Sequence, residues 1–202
     1  LGLSAYFLSA WALAEDLGRI KWFTLLILPA IYTAAVGFSY FLLPVRWITR
    51  LPVATLYAIG MYALLLTENI YNVAAIRTIQ LLRAAHAVGF LITLVTTFLL
   101  FEILFSFHLP FCLIFLGVFI LTFPLIIQFL WAANLEEGIS LPVWRYSLLT
   151  SLVLAELSLI FSFWPLNLSL YALFLTTVAY AFLGISQQKL LGRLFPRTVG
   201  EF

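Results

Sequence analysis

Residues 87–101 read Ala-Val-Gly-Phe-Leu-Ile-Thr-Leu-Val-Thr-Thr-Phe-Leu-Leu-Phe, a stretch that contains no charged residue. Successive positions are apolar, so the stretch lacks the alternation of a membrane barrel strand, which runs for about ten residues. The surrounding apolar segment extends from Ala84 to Phe107. As a helix this segment is about 36 Å long and exceeds the roughly 30 Å hydrocarbon core of a bilayer. The sequence therefore predicts a transmembrane α-helix here.

The composition extends this prediction to the whole chain. Of its 202 residues, 65% are hydrophobic and 9% are charged, and the mean hydropathy is +1.15. A soluble domain has about 45–50% apolar and about 25% charged residues, and a fold in water has too little interior to bury this excess. The net charge is only +2, and no run of Lys or Arg indicates nucleic acid as a partner. We expect the lipid bilayer to be the main partner, with other membrane subunits as further candidates.

The predicted fold class is all-α, a polytopic transmembrane helix bundle of about seven spans that forms a single domain over residues 1–202. The predicted spans are 1–14, 22–43, 53–67 or 53–76, 84–107, 110–133, 146–164 and 168–186. The first span would be about 21 Å long, which is shorter than the hydrocarbon core. We therefore expect the sequence to be a fragment of a longer chain.

The third span has two candidate ends, because a polar stretch from Thr67 to Asn72 is followed by apolar residues up to Ile76. Either the span continues to Ile76 with a polar stripe, or it ends at Leu66. In the second case residues 68–85 form a re-entrant or interfacial amphipathic helix. The apolar spacing in residues 76–82 slightly favours the second alternative.

The distribution of cations predicts the orientation. With seven crossings, two of the ten cations, Arg46 and Arg50, lie on one side of the membrane, and the other eight lie on the opposite side. The positive-inside rule then places the N-terminal end outside and the C-terminal tail in the cytoplasm. The tryptophans agree, because all six lie near predicted span ends, where amphipathic rings favour the headgroup region.

The segment around Glu68 contains the densest group of polar residues near a predicted span. Glu68 and Asn72 are four residues apart and share a helical face, and Tyr71 adds a donor nearby. We expect Glu68 and either Arg77 or Arg83 to line a polar cavity open to the cytoplasm. The candidate cluster consists of Glu68, Asn69, Asn72, Arg77, Arg83 and His86.

Two further candidate intramembrane carboxylates are Glu102 and Glu156. Carboxylates inside a bilayer are costly, so they usually face the bundle interior and have partners. Glu156 has apolar residues on both sides, and we expect it to be buried with a partner from another helix. Glu102 is expected to be a structural hydrogen-bonding residue or to face the membrane interface.

Catalytic and metal sites are not indicated. The chain has one aspartate, Asp16, and no metalloprotease, phosphate-loop or nucleophile-elbow motif. Its single cysteine, Cys112, excludes an internal disulfide and is expected to pack as a small hydrophobe. We expect no catalytic residue, no metal and no cofactor.

Three function classes fit these residues to different degrees. A structural, assembly or partner-binding membrane subunit needs nothing beyond what is visible and is the preferred hypothesis. The alternative is a small proton-coupled carrier or channel that uses intramembrane carboxylates. A lipid-modifying membrane enzyme is the least favoured, since Arg77 and Arg83 could grip a phosphate but no catalytic group accompanies them.

Several stretches carry a resemblance to a known family. They are Met61–Val73, Ala75–Ile79, Leu81–Phe90, Ser162–Pro165 and Gly192–Phe195. Together they resemble a family of uncharacterised bacterial multi-pass membrane proteins, a domain of unknown function, over most of the chain. The resemblance implies a bacterial membrane and no particular activity, and we expect that membrane to be the cytoplasmic one.

Overall fold

The described part of the chain is entirely helical, which confirms the predicted all-α class. The computed structural model describes residues 26–43, 47–74, 81–135, 138–165 and 167–192. These residues form six α-helices and contain no strand. The helices are α1 (Ile27–Leu42), α2 (Trp47–Ala74), α3 (Leu82–Ser106), α4 (Phe111–Asn134), α5 (Leu141–Phe161) and α6 (Leu168–Leu190).

Five of these helices, α2 to α6, are long and apolar enough to cross a membrane. The remaining helix, α1, has 16 residues and is about 24 Å long, which is shorter than a hydrocarbon core. The predicted count of about seven spans is therefore slightly too high for the described residues. The predicted span 1–14 and the start of the span 22–43 lie outside them.

Helix α2 corrects one prediction about the third span. The helix continues without interruption from Trp47 to Ala74, through the polar residues that follow Leu66. The preferred alternative, in which the helix ends at Leu66 and residues 68–85 form a separate helix, is therefore wrong. A helix hides its own backbone polar groups, so polar side chains alone do not end it. Its 28 residues span about 42 Å, which is more than a bilayer core requires.

The chain divides into two compact units, Leu1–Thr96 and Thr97–Phe202, and the boundary falls within α3. In the first unit, α1 and α2 form an antiparallel pair, with Tyr32 beside Gly60 and Thr33 bonded to Tyr57. In the second unit, α4, α5 and α6 pack on one another. That residues 1–202 form one transmembrane domain stays a prediction.

Threonines supply much of the buried polarity, and their hydroxyls bond within their own helices. Eight threonine hydroxyls donate to the carbonyl four residues earlier, at 2.6–2.9 Å. Such bonds leave little unsatisfied polarity on the helix surface. The eight are Thr33, Thr55, Thr67, Thr93, Thr96, Thr122, Thr176 and Thr177.

Large apolar side chains cover the outside of the helices. Ile48 is 82% exposed, Phe41 76% and Leu141 72%, and many more leucines and phenylalanines are exposed along the same helices. Extended apolar surfaces of this kind mark contact with membranes or other proteins. Together with the length of the helices, they indicate a membrane location.

Candidate functional site

The C-terminal end of α2 carries a buried polar face. Thr67, Glu68, Tyr71 and Asn72 are each no more than 4% exposed. Their spacing places Thr67 with Tyr71, and Glu68 with Asn72, one turn apart on the helix. The structure thus brings Glu68 and Asn72 onto one buried face, as the sequence predicts.

Tyr71 fastens this end of α2 to the start of α3. Its hydroxyl donates a hydrogen bond to the Ala85 carbonyl at 3.0 Å, and its ring lies 5.5 Å from the His86 ring. A β-carbon on Gly89 would come within 2.5 Å of the same hydroxyl. The contact therefore requires glycine at position 89. We name this arrangement of Tyr71, Ala85, His86 and Gly89 the tyrosine latch.

The other members of the predicted cluster do not share the buried face. Asn69 is exposed on α2, and Arg83 is exposed in the first turn of α3. Arg77 lies outside the described residues. Since Glu68 is buried and Arg83 is exposed, the predicted cavity lined by both stays a prediction.

Glu102 forms a hydrogen bond between two helices of the second unit. It is half-buried on α3 and accepts a hydrogen bond from the Ser169 hydroxyl on α6 at 3.2 Å. Close by, the ring of Phe105 stacks on Tyr171 with centroids 5.0 Å apart. Glu102 thus has a hydrogen-bond partner on another helix, and its structural role stays a prediction.

Glu156 corrects another prediction. We expected it to be buried, but its side chain is exposed, whereas its neighbours Leu154, Ala155 and Ser158 are buried in the second unit. The helix therefore turns its small residues and its hydroxyl inward and its carboxylate outward. Sequence context placed Glu156 within an apolar span, but it did not predict the face of the helix on which it lies.

The surroundings of Glu156 are apolar. Leu149 and Ile160, seven residues before and four after it, are 55% and 57% exposed on the same side of α5. Arg145 and Trp164, residue types that favour the headgroup region, are both exposed. Along the helix axis, Arg145 lies about 16 Å from Glu156, and Trp164 lies at most about 12 Å from it. An outward carboxylate thus lies on an apolar face of α5, five residues before the helix ends at Phe161.

Two further sequence predictions concern the single cysteine and metal binding. Cys112 is exposed in the first turn of α4, so its expected packing role is wrong. Within the described residues, no three His, Cys, Asp or Glu side chains lie close enough together to hold a metal ion.

The sequence reasoning did not find a cavity between α1 and α2. It has a volume of about 290 Å³ and is lined by residues of both helices, among them Thr33, Tyr40, Arg50, Ala54 and Tyr57. The available signal was the spacing of Arg50, Val53, Ala54 and Tyr57, which repeats at three and four residues and places them on one face.

Comparison with known proteins gives one match. The sequence model of a family described as "Protein of unknown function (DUF5656)" matches residues 7–202, nearly the whole chain. No protein of curated function and no solved structure matches the chain. The predicted resemblance to an uncharacterised family is thereby confirmed.

Proposed function

The chain belongs to the DUF5656 family of proteins of unknown function, and from that premise we propose that it is a multi-pass membrane subunit that binds a partner protein. The contact runs through the outward face of α5, and Glu156 is its centre. The residues on this face are Leu149, Glu156 and Ile160.

The observation that carries this proposal is the exposure of Glu156. A carboxylate that faces hydrocarbon costs about 2.5–3.5 kcal/mol on insertion scales. A polar group on a neighbouring membrane helix removes that cost by hydrogen bonding, and polar side chains are known to join membrane helices in this way. The exposed leucine and isoleucine around Glu156 supply the apolar rim of such a contact.

The proposed location is the cytoplasmic membrane of a bacterium, with the N-terminal end outside and the C-terminal tail inside. Support for the membrane comes from the apolar helices, and support for the orientation comes from the cations, which divide eight against two between the sides when the seven predicted crossings are counted. The exposed Trp144 and Trp164 lie near opposite ends of α5, as expected for headgroup anchors.

A photocrosslinking experiment tests the partner contact. Benzoylphenylalanine replaces Ile160, one turn from Glu156, and in a control chain it replaces Leu173 on α6, which is equally exposed at 57%. After illumination of native membranes, we expect a product of higher mass from position 160. Glu156→Leu should abolish this product, and Glu156→Gln, which still forms hydrogen bonds, should retain most of it.

Two results would contradict the proposal. The first is a product whose yield at position 160 is unaffected by Glu156→Leu and equals that at position 173. The second is a crosslink from position 160 only to residues of the same chain, because the neighbour of Glu156 would then be internal.

A second candidate function is a small proton-coupled carrier, and the observation that favours it is the burial of Glu68. This carboxylate is 1% exposed beside Asn72, and intramembrane carboxylates are typical of proton pathways. On a Cys112→Ser background, single cysteines at positions 68, 102 and 156 would be treated with a membrane-impermeant maleimide. Labelling at position 68 would favour the carrier, whereas its absence would favour the partner-binding subunit.

A further inference from the structure

The cavity between α1 and α2 is a groove with two different ends. Because the helices are antiparallel, Tyr40, Phe41 and Arg50 lie toward the loop that joins them, and Thr33 and Tyr57 lie toward the opposite end. Arg50 and Tyr57 are seven residues apart, which corresponds to about 10 Å along α2. Between the two ends the lining is apolar and includes Val36, Val53 and Ala54.

At the end of the groove away from the joining loop, the hydroxyls of two lining residues bond to each other. Thr33 donates to the Pro29 carbonyl at 2.8 Å, and its oxygen lies 3.1 Å from the Tyr57 hydroxyl, so Tyr57 donates to Thr33. The Tyr57 ring also stacks on Tyr32 with centroids 5.8 Å apart. This end therefore presents satisfied polar groups and a fixed aromatic wall to any apolar chain in the groove.

The end of the groove near the joining loop carries a cation, which lies in the first turn of α2. Arg50 is exposed and lines the groove. A guanidinium has five N–H donors in a planar fork that matches a phosphate, so it can hold a phosphate while keeping another contact. The Tyr40 hydroxyl, in the same lining, offers a further donor.

We propose that this groove binds an anionic phospholipid, with one acyl chain between α1 and α2 and the phosphate on Arg50. A cation next to an apolar groove complements the two parts of such a lipid, and the roughly 290 Å³ volume fits part of one chain rather than a whole ligand. The inference rests on the membrane location but not on the partner-binding role of Glu156. Under the predicted orientation, the lipid belongs to the outer leaflet.

Native mass spectrometry of the purified full chain in neutral detergent tests the proposal. The probes are dioctanoyl phosphatidylglycerol, dioctanoyl phosphatidylcholine and inorganic phosphate. We expect the wild type to bind the phosphatidylglycerol more tightly than the phosphatidylcholine. Arg50→Gln should weaken phosphatidylglycerol binding about ten-fold or more and remove that preference, since hydrogen bonds to a charged group contribute at least this factor. Arg50→Lys should give an intermediate affinity, because it keeps the charge and loses the fork.

A second variant tests the groove itself. Ala54→Leu fills the lining and should abolish binding, whereas Ala58→Leu, one turn further along α2 and outside the described lining, should leave it intact. Arg145→Gln is the matched control for charge, because Arg145 is an exposed cation in the other unit. Glu156→Leu, which should abolish the partner crosslink, should still bind the phosphatidylglycerol, so loss of the partner contact and loss of the lipid site are distinguishable.

Three outcomes would overturn the proposal. Unchanged binding in both Arg50→Gln and Ala54→Leu would place the lipid elsewhere. Displacement of the lipid by inorganic phosphate at similar concentration would indicate a site for free phosphate. Loss on Ala54→Leu with equal affinity for both lipids, and no effect of Arg50→Gln, would indicate an acyl-chain site without headgroup recognition. If Ala54→Leu does not fold, the Arg50 series decides.

Discussion

Glu68 in the first unit and Glu156 in the second have opposite surroundings in sequence and in structure. Glu68 lies among polar residues along the chain and is 1% exposed, whereas Glu156 lies among apolar residues and is exposed. The sequence neighbours of a residue report its depth along a helix. Its burial depends instead on which face of the helix meets other helices. A carboxylate packed inside a unit and one turned outward are therefore expected to serve different purposes.

The largest expected effect comes from breaking the packing of α2 next to Glu68. Gly89→Leu places a side chain where the Tyr71 hydroxyl lies, so the tyrosine latch must open. We expect a loss of about 3 kcal/mol in the free energy of unfolding, since overpacking and the lost hydrogen bond add. Reversible unfolding in mixed micelles measures it.

Gly138→Ala is the control for that substitution, because nothing lies within 4 Å of a β-carbon at Gly138. It should leave stability unchanged within about 0.5 kcal/mol. Equal stability of Gly89→Leu and the wild type would mean that the latch does not hold α2 to α3.

Replacing Glu68 or Glu156 by leucine tests directly whether the two carboxylates differ in their contribution to stability. Glu68→Leu should destabilise the purified chain by about 2 kcal/mol, because Glu68 is 1% exposed and leucine cannot replace the polar interaction that its side chain makes in the interior. Glu156→Leu should change stability by less than about 0.5 kcal/mol, because without a partner this side chain faces the micelle in both the folded and the unfolded state. The measurement is the same unfolding titration, on protein without a partner. Equal effects of the two substitutions would remove the distinction between the two carboxylates.

Removing one oxygen from the tyrosine latch should have a smaller effect. Tyr71→Phe deletes the hydrogen bond to the Ala85 carbonyl, and we expect a loss of about 1.5 kcal/mol at most. Tyr62→Phe, at a tyrosine that is 72% exposed on the same helix, should have no effect. If thermal unfolding of the two variants coincides, the hydroxyl contributes nothing measurable.

The smallest expected effect comes from the backbone conformation at the end of α4, which is far along the chain from Glu68 and Glu156. Leu135 ends α4 in the left-handed conformation, with φ of 49°. A left-handed residue with a side chain is disfavoured by about 1 kcal/mol, so Leu135→Gly should be more stable than Leu135→Ala by about that amount. Both variants lose the same packing, so their difference isolates the backbone. Equal unfolding midpoints would show that this helix end relaxes.

The positions of the helices were largely predictable, whereas their ends were less so. The apolar run around residues 87–101 lies inside α3, and α6 begins at Leu168, the predicted start of its span. Helix α5 begins at Leu141 rather than Tyr146, because Pro142 fits the first turn and Arg145 is tolerated near a helix end. Hydropathy detects the segment that lipid must cover, but not the turns beyond it.

The candidate site was predictable only in part. The four-residue spacing of Glu68 and Asn72 placed them on one face, as found. The outward face of Glu156 was not predictable, because in water the apolar stripe identifies the inner face of a helix, whereas in lipid both faces are apolar. The small pair Ala85 and Gly89 was visible in the sequence, but its pairing with Tyr71 depends on the approach of two helices.

The threonines that bond to their own helices also bear on how the protein is made. A membrane helix leaves the insertion machinery alone and meets its neighbours afterwards. In α3, the hydroxyls of Thr93 and Thr96 are satisfied by the Gly89 and Ile92 carbonyls, so the helix brings no unpaired hydroxyl from these residues into lipid while it waits. This segment can therefore wait in the bilayer for its neighbours without presenting an unsatisfied threonine hydroxyl to the lipid. Glu68 on α2 and Glu102 on α3 lack that independence, because an ionised carboxylate has no hydrogen to donate to a carbonyl of its own helix.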